Sequence, residues 1–288
     1  MAVVSTVSFA TSGTTGEPVT WLRGTDQLRA EAAILAELTE ADQCDGIVCY
    51  APPTHLYGHL MGLSLPELTG LPCRFLSVTE PPTATFRRPL IAALPAAIAT
   101  MTRHLPTLRR LDRLTLVHGS AELTSATAEL ASALPMRLVD LFGSTETGLV
   151  GWRTDHTDSW HPASDVTLAI EPDGRLRVAG PRIASRDGRP ASDTVLDDLV
   201  VLNPDGTFRW LGRATRLLKV NGLRVHLDQI EATLRAAVPG ADIRCHAESD
   251  PVRGEWFSVI ASDAHIEAVR SACGTLPAAS RPRTVRAA

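Results

Sequence analysis

The chain has almost no lysine. Lys219 is the only one, and every other member of its 28 lysine-plus-arginine residues is arginine. With a formal net charge of −4 it lacks the basic excess that binding to nucleic acid or to an anionic membrane surface requires. The five cysteines, Cys44, Cys49, Cys73, Cys245 and Cys273, form no Cys-x-x-Cys pair, which excludes a zinc cluster or a disulfide scaffold and suits buried thiols in a reducing cytoplasm. Long apolar runs are also missing. Residues 89–101 are interrupted by proline and too short to span a bilayer. Residues 1–10 have no basic lead-in, so they read as a first strand and not as a signal peptide.

What is present reads as two textures over 288 residues, a length that accommodates one large and one small domain. Behind a Ser/Thr/Gly loop, Leu28, Ala32, Leu35 and Leu38 recur at helical spacing after a capping Thr25. Short apolar runs at 47–50, 114–117 and 138–142 predict buried strands of a layered α/β sheet. From Asp165 the pattern turns to hairpins around Pro172-Asp173-Gly174 and Pro204-Asp205-Gly206, which predicts an antiparallel section. Past Arg213 a helix over 228–238, strands near Ile243 and Phe257, and a helix near His265 predict a compact βαβ-like unit. A loose arm is expected from Pro277 onward. The domains expected are 1–213 and 214–288.

Several strand ends carry chemistry. Thr11-Ser12-Gly13-Thr14-Thr15-Gly16 follows the first strand, and its glycines and hydroxyls can turn successive donors toward one anion, although it lacks the Gly-Lys-Ser/Thr ending of a Walker loop. Pro52-Pro53-Thr54-His55-Leu56-Tyr57-Gly58, His118-Gly119-Ser120-Ala121, and Phe142-Gly143-Ser144-Thr145-Glu146 each end a further strand, where open sheets bind ligands. Phe142 offers a face for adenine, Thr145 a hydroxyl for the α-phosphate and Glu146 a hard oxygen for Mg²⁺. Rival readings are weaker. His55 and His59 lack the acidic residue of a zinc-protease helix, Asp155, His156, Asp158 and His161 lack regular spacing, and Ser120 lacks a nucleophile elbow.

Together with Asp197-Asp198 and the run from Gly212 and Arg213 through Lys219 to Gly222, these motifs resemble in order those of the adenylate-forming superfamily of acyl- and aryl-CoA ligases, adenylation domains and luciferase-like enzymes. The resemblance runs from about Val7 to Glu231. It implies a shortened large α/β domain with a small C-terminal α+β domain, and ATP with Mg²⁺ as cofactors. The acyl group would pass to CoA, a phosphopantetheinyl carrier protein or an amine. By the same resemblance Thr11 to Gly16 clamp phosphate, while Gly119, Ser120, Ala121, Phe142 and Gly143 border adenine. Thr145 meets the α-phosphate, Glu146 holds the metal, Asp198 and Arg213 hold the ribose, and His55 lies by the acid. Lys219 swings in for the second half-reaction about a hinge at Thr215.

Two departures set further expectations. Family members carry a long segment before the phosphate loop, so a homodimer or a partner chain is expected over the sheet face that segment would cover. They also carry lysines where this chain has Val19 and where it ends after Pro282-Arg283-Thr284. Adenylation is expected to be slow, with Arg283 or Arg286 as partial substitutes; the competing expectations are a catalytically impaired nucleotide- or adenylate-binding scaffold or partner subunit, and a catalyst of only the second half-reaction.

Overall fold

The computed structural model describes residues 5–12, 18–82, 85–119, 125–154, 159–214, 217–220, 223–250 and 254–287. They form two compact units, one extending to Gly212 and one starting at Arg213.

In the first unit β1 (Thr6–Ser12) and β2 (Pro18–Gly24) form a hairpin, followed by helix α1 (Thr25–Leu38). The helix is capped by Gly24 and not by Thr25: the Gly24 N–H donates to the Gln27 side-chain oxygen at 2.9 Å, while the Thr25 N–H is spent on the Ser5 carbonyl. Strands β3 (Gly46–Cys49), β4 (Cys73–Phe75), β5 (Pro89–Ala93), β6 (Leu114–His118) and β7 (Met136–Ser144) pair in parallel in the order β4-β3-β5-β6-β7. β3, β5 and β6 are buried at every position, as parallel strands covered on both faces must be. One cluster, including Phe9, Leu28, Leu35, Ile47, Val117 and Val139, packs α1 and the hairpin onto the sheet.

Beyond β7 the same sheet turns antiparallel through β8 (Gly148–Arg153) and β9 (Ser159–Pro162), and continues through β10 (Thr167–Ile170), β11 (Arg175–Ala179), β13 (Asp193–Leu202) and β14 (Phe208–Arg213). The short β12 (Ser185–Arg186) leaves it to join β2, making a three-stranded sheet with the hairpin. The expected α/β class with a hairpin section is what the chain builds.

In the second unit β15 (Leu217–Val220) pairs with β16 (Leu223–His226), and the helix Leu227–Ala237 packs on β17 (Ile243–Asp250) and β18 (Gly254–Ala261). The tail is no loose arm. Residues Thr284–Ala287 form β19, which pairs in parallel with β18 after the crossover helix Ile266–Thr275, and Val285 packs against the unit's core. Arginine density hid this strand, because Arg283 stacks over Trp256 with 4.7 Å from guanidinium to ring centre and Arg286 pairs with Glu248 at 3.3 Å. Both cations proposed from sequence as lysine substitutes have these partners within the second unit. No helix among the described residues is long and apolar enough to cross a membrane.

Candidate active site

The parallel strands place their carboxyl ends along one edge of the sheet, and the sequence motifs collect there. After β3, the His55 N–H closes onto the Pro52 carbonyl at 3.1 Å and the helix Leu56–His59 begins. Gly58 is required at this turn, since a Cβ there would lie 2.1 Å from the Pro52 carbonyl oxygen. The Tyr57 hydroxyl donates to the Val117 carbonyl at 2.9 Å, and its ring edge lies 3.4 Å from where a Gly119 side chain would start. Burial pushes the Tyr57 phenol well above its ordinary value, so it is a neutral tie between the His55 segment and the end of β6. His55 itself is exposed at the edge. His59 turns the other way and meets Phe9 of β1 edge-on at 5.4 Å, and desolvation lowers its pKa below the usual imidazole value.

The turn between β7 and β8 carries Thr145 and Glu146. A bulge at Phe142/Gly143 re-aims the end of β7, and Gly143 has no room for a side chain because a Cβ would sit 2.0 Å from the Gly148 carbonyl oxygen. The buried Thr147 hydroxyl closes the turn: it donates to the Gly148 carbonyl at 2.9 Å and accepts from the Ser144 N–H at 3.1 Å. Thr145 and Glu146 are left half-buried at the tip. Phe142 packs at 5.4 Å from both Trp160 and Phe208, so its ring is held by an aromatic cluster that Trp210 also touches. The Trp210 indole in turn donates to Asp198 at 2.9 Å, which sets the carboxylate on β13.

A buried charge network braces that turn, and the motif reading did not find it. Arg23 of β2 donates to Glu31 of α1 at 2.7 Å and to the Thr145 carbonyl at 3.3 Å. Glu31 also accepts the Leu149 N–H at 2.7 Å and pairs with Arg182 at 3.3 Å. Arg182 reaches the Leu149 carbonyl and both oxygens of Asp165, each at 2.7 Å. The side chains of Arg23, Glu31 and Arg182 are 0, 2 and 1% exposed, so water does not solvate these charges and each depends on the others. Desolvation holds the Arg23 guanidinium below its ordinary value. For Arg182 desolvation is outweighed by the Asp165 hydrogen bond and the field of Glu31, and its pKa lies above the ordinary value. The segment beyond is tied in as well, since Gln27 donates to the Pro181 and Ile183 carbonyls and the Ala184 N–H donates to the Glu146 carbonyl at 2.8 Å. One signal in the sequence could have exposed the network: Glu31 stands three residues after Leu28 and four before Leu35, inside the apolar stripe of α1.

Nothing in the sequence pointed to the charges around His118 at the end of β6. His118 is fully buried with its Nδ1 at 3.5 Å from Asp140, Asp140 accepts from Arg153 at 2.9 Å, and the Arg153 guanidinium lies 4.2 Å over Trp160.

The geometry thus sets His55, Gly119 and the segment from Phe142 to Glu146 at the carboxyl ends of β3, β6 and β7. Thr11 stands opposite Val19 at the loop end of the hairpin, where its hydroxyl accepts from the Trp21 indole at 3.0 Å. Gly13, Thr14, Thr15, Gly16, Ser120, Ala121, Asp155, His156, Asp158 and Thr215, and the side chains of Ser12 and Arg213, lie outside the described residues. Lys219 belongs to the second unit, where its N–H donates to Glu255 at 2.6 Å. Among the described residues no group of three or more His, Cys, Asp or Glu side chains is disposed to hold a metal ion. A divalent cation held by Glu146 would complete its shell from phosphate oxygens, the usual arrangement for Mg²⁺.

Comparison with known proteins agrees with this architecture. The chain is 28% identical over 301 residues to a 4-coumarate–CoA ligase of Halorhodospira halophila, covering 98% of the chain and 72% of that protein. A malonyl-CoA ligase solved as a ternary product complex with methylmalonyl-CoA and AMP is similar in fold at a TM-score of 0.71 and 23% identity, over 98% of this chain and 70% of that one. An amide bond synthetase from Marinactinospora thermotolerans aligns at a TM-score of 0.74 and 18% identity, over 98% of this chain and 65% of that one. The family model for AMP-binding enzymes matches residues 7–183, and with the hairpin, the sheet-edge motifs and the Thr145-Glu146 turn in the family order, the chain belongs to the AMP-binding enzymes of the adenylate-forming superfamily.

Proposed function

We propose that this chain is an AMP-forming acid ligase that binds Mg·ATP at the edge of the parallel sheet and makes or uses an acyl-adenylate. What supports the reading is that His55, Gly119 and the Thr145-Glu146 turn all follow the carboxyl ends of parallel strands of one sheet, with that turn tied to the β1–β2 hairpin through Arg23 and Glu31. A carboxylate oxygen of the acid attacks the α-phosphorus of ATP and the bond to pyrophosphate breaks. A thiol of CoA or of a phosphopantetheinyl carrier protein, or an amine, then attacks the acyl carbon and AMP leaves.

In this reading the loop from Thr11 to Gly16 orients the phosphates and the Thr145 hydroxyl donates to the α-phosphate. Asp198 and Arg213 hold the ribose, His55 borders the acid, and Lys219 serves the transfer step. Mg²⁺ on Glu146, when bound, neutralises phosphate charge. The relatives' names support CoA or an amine as acceptor. Leu63 and Phe75, the last residue of the edge strand β4, are each 43% exposed and support a second chain there, which light scattering across a concentration range checks.

ATP–pyrophosphate exchange over a panel of aromatic and aliphatic acids tests the proposal. Exchange by the wild type that falls about a hundredfold in Glu146→Gln supports it, as loss of one charge contact in a preorganised site requires. Equal signals from both proteins sink it. A scaffold that binds nucleotide without turnover is the second reading, favoured by the pairing of Arg283 and Arg286 within the second unit. Calorimetric binding of ATP and AMP with no exchange for any acid would select it.

A further inference from the structure

The parallel strands have a second edge, at their amino ends, opposite the one that carries the sequence motifs. Many charges along it are matched. The two oxygens of Asp45 accept the Arg87 and Arg88 N–H groups at 2.8 and 2.9 Å, the Arg87 side chain pairs with Asp112 at 2.6 Å, and Glu40 takes both Arg113 and Arg137. Two exposed groups take no part in this matching, and they are separated by sign.

Ahead of β3 and β4 a groove of about 570 Å³ opens between the end of α1 and the segments entering the two strands. Its apolar lining includes Ala41, Cys44 and Leu71. Its carboxylates are Glu37 and Asp42, both exposed and in no ion pair among the described residues. Ahead of β6 and β7 a smaller groove of about 200 Å³ is lined by Leu108, Leu111 and Leu134, with Arg109 beside them. Hydrogen bonds from the Arg109, Arg110 and Leu111 N–H groups to the Leu105, Thr107 and Leu108 carbonyls wind this segment into helical turns. Leu108 and Leu111, three residues apart, therefore share the inner side, and Arg109 and Arg110 are left outside, exposed and in no ion pair among the described residues.

Only β5 stands between β3 and β6 in the sheet, so the two grooves begin at strands roughly 10 Å apart. Each is apolar within and charged outside, and the charges are opposite. A foreign partner would match one groove or the other, whereas a second copy of this chain matches both. A twofold axis in the plane of the edge turns one copy over onto the next and can carry the acidic groove of each onto the basic groove of the other, so every contact is made twice.

We infer that the amino edge of the parallel sheet is the interface between two copies of this chain, with Glu37 and Asp42 of each facing Arg109 and Arg110 of the other. The carboxyl edges, which carry the candidate active site, then point outward in both copies. No residue assigned to the ligase site takes part.

Sedimentation velocity of the full chain tests this for the wild type, Arg109→Glu/Arg110→Glu, Glu37→Arg/Asp42→Arg, and an equimolar mixture of the two variants. The wild type should sediment as a dimer that weakens as salt is raised, because exposed charge pairs are screened. Each variant sets like charges opposite each other in both symmetric contacts, and its dimerisation should be weaker by about a hundredfold or more. The mixture should recover the dimer, since one variant presents two acidic grooves and the other two basic ones, and no unfolded variant would be rescued in this way. All four side chains are exposed, so the thermal midpoints should match that of the wild type. A wild type that stays monomeric at every concentration overturns the interface. So does a dimer that survives in both variants, which would put association on another face such as the β4 edge, and so does a mixture that stays monomeric.

Discussion

Replacing Glu31 by alanine removes the carboxylate that joins two buried arginines. In the wild type one Glu31 oxygen takes Arg23 at 2.7 Å and Arg182 at 3.3 Å, and the other takes the Leu149 N–H at 2.7 Å. After the change Arg182 keeps Asp165, but Arg23, 0% exposed, keeps only the Thr145 carbonyl among the contacts described above. Breaking a buried ion pair from one side costs about 3–5 kcal/mol, and an orphaned buried N–H about 1–3 kcal/mol. The two overlap at one site and do not add, so a loss of about 4 kcal/mol is expected, a large share of the stability of an ordinary domain. Tryptophan fluorescence in urea measures it selectively, because Trp21, Trp152, Trp160 and Trp210 lie in the first unit and only Trp256 in the second. Glu31→Gln retains an acceptor for Leu149 without the charge and should lose about half as much. A loss below about 1 kcal/mol for Glu31→Ala, the range of ordinary surface substitutions, would refute the view that this network braces the Thr145-Glu146 turn.

Gly148→Ala should destabilise the first unit by about 2 kcal/mol or more in the same assay, since φ is 69° there and a Cβ would lie 2.2 Å from a Glu31 oxygen. The Arg182 hydrogen bond holds the Asp165 carboxyl below its ordinary value of 3.8, so its contribution is complete above pH 3.8 and is lost as pH falls through the folded value; urea midpoints measured down an acid series should fall less steeply for Asp165→Asn than for wild type. Burial raises the Cys49 thiol to about 12 and the Cys73 thiol to about 11, so a thiol-specific chromophore at neutral pH should react slowly with the native chain and quickly with all five cysteines once urea is added. Val285→Asp puts a charge on the inner side of β19 and should lower the melting temperature of the second unit, read by circular dichroism, while an unchanged melt would place the tail outside the core.

Local periodicity revealed the elements. The apolar runs of β3, β6 and β7 and the Pro-Asp-Gly turns between β10 and β11 and between β13 and β14 were legible because burial on both faces and reversal of the chain each demand particular residues at short range. The motif residues were legible for the same reason, as strand ends with small or polar side chains. The cap of α1 was misread because Thr25 and Gly24 differ by one position, and the choice between them lay with Gln27 and with Ser5, just before β1. β19 was misread because its partner β18 lies 23 residues or more away in sequence and its arginines resemble a solvated tail until Trp256 and Glu248 are seen beside them.

The sequence by itself determined the family, the α/β class and which residues stand at the strand ends, since each depends on residue type at short spacing. Only the tertiary structure decided that Arg23, Glu31, Asp165 and Arg182 meet around the Thr145-Glu146 turn, and that the order of the parallel strands sets Glu37 and Asp42 apart from Arg109 and Arg110 along their amino ends. Those placements follow from pairing between strands far apart in the chain, where a shift of one residue in register would send every side chain to the opposite face.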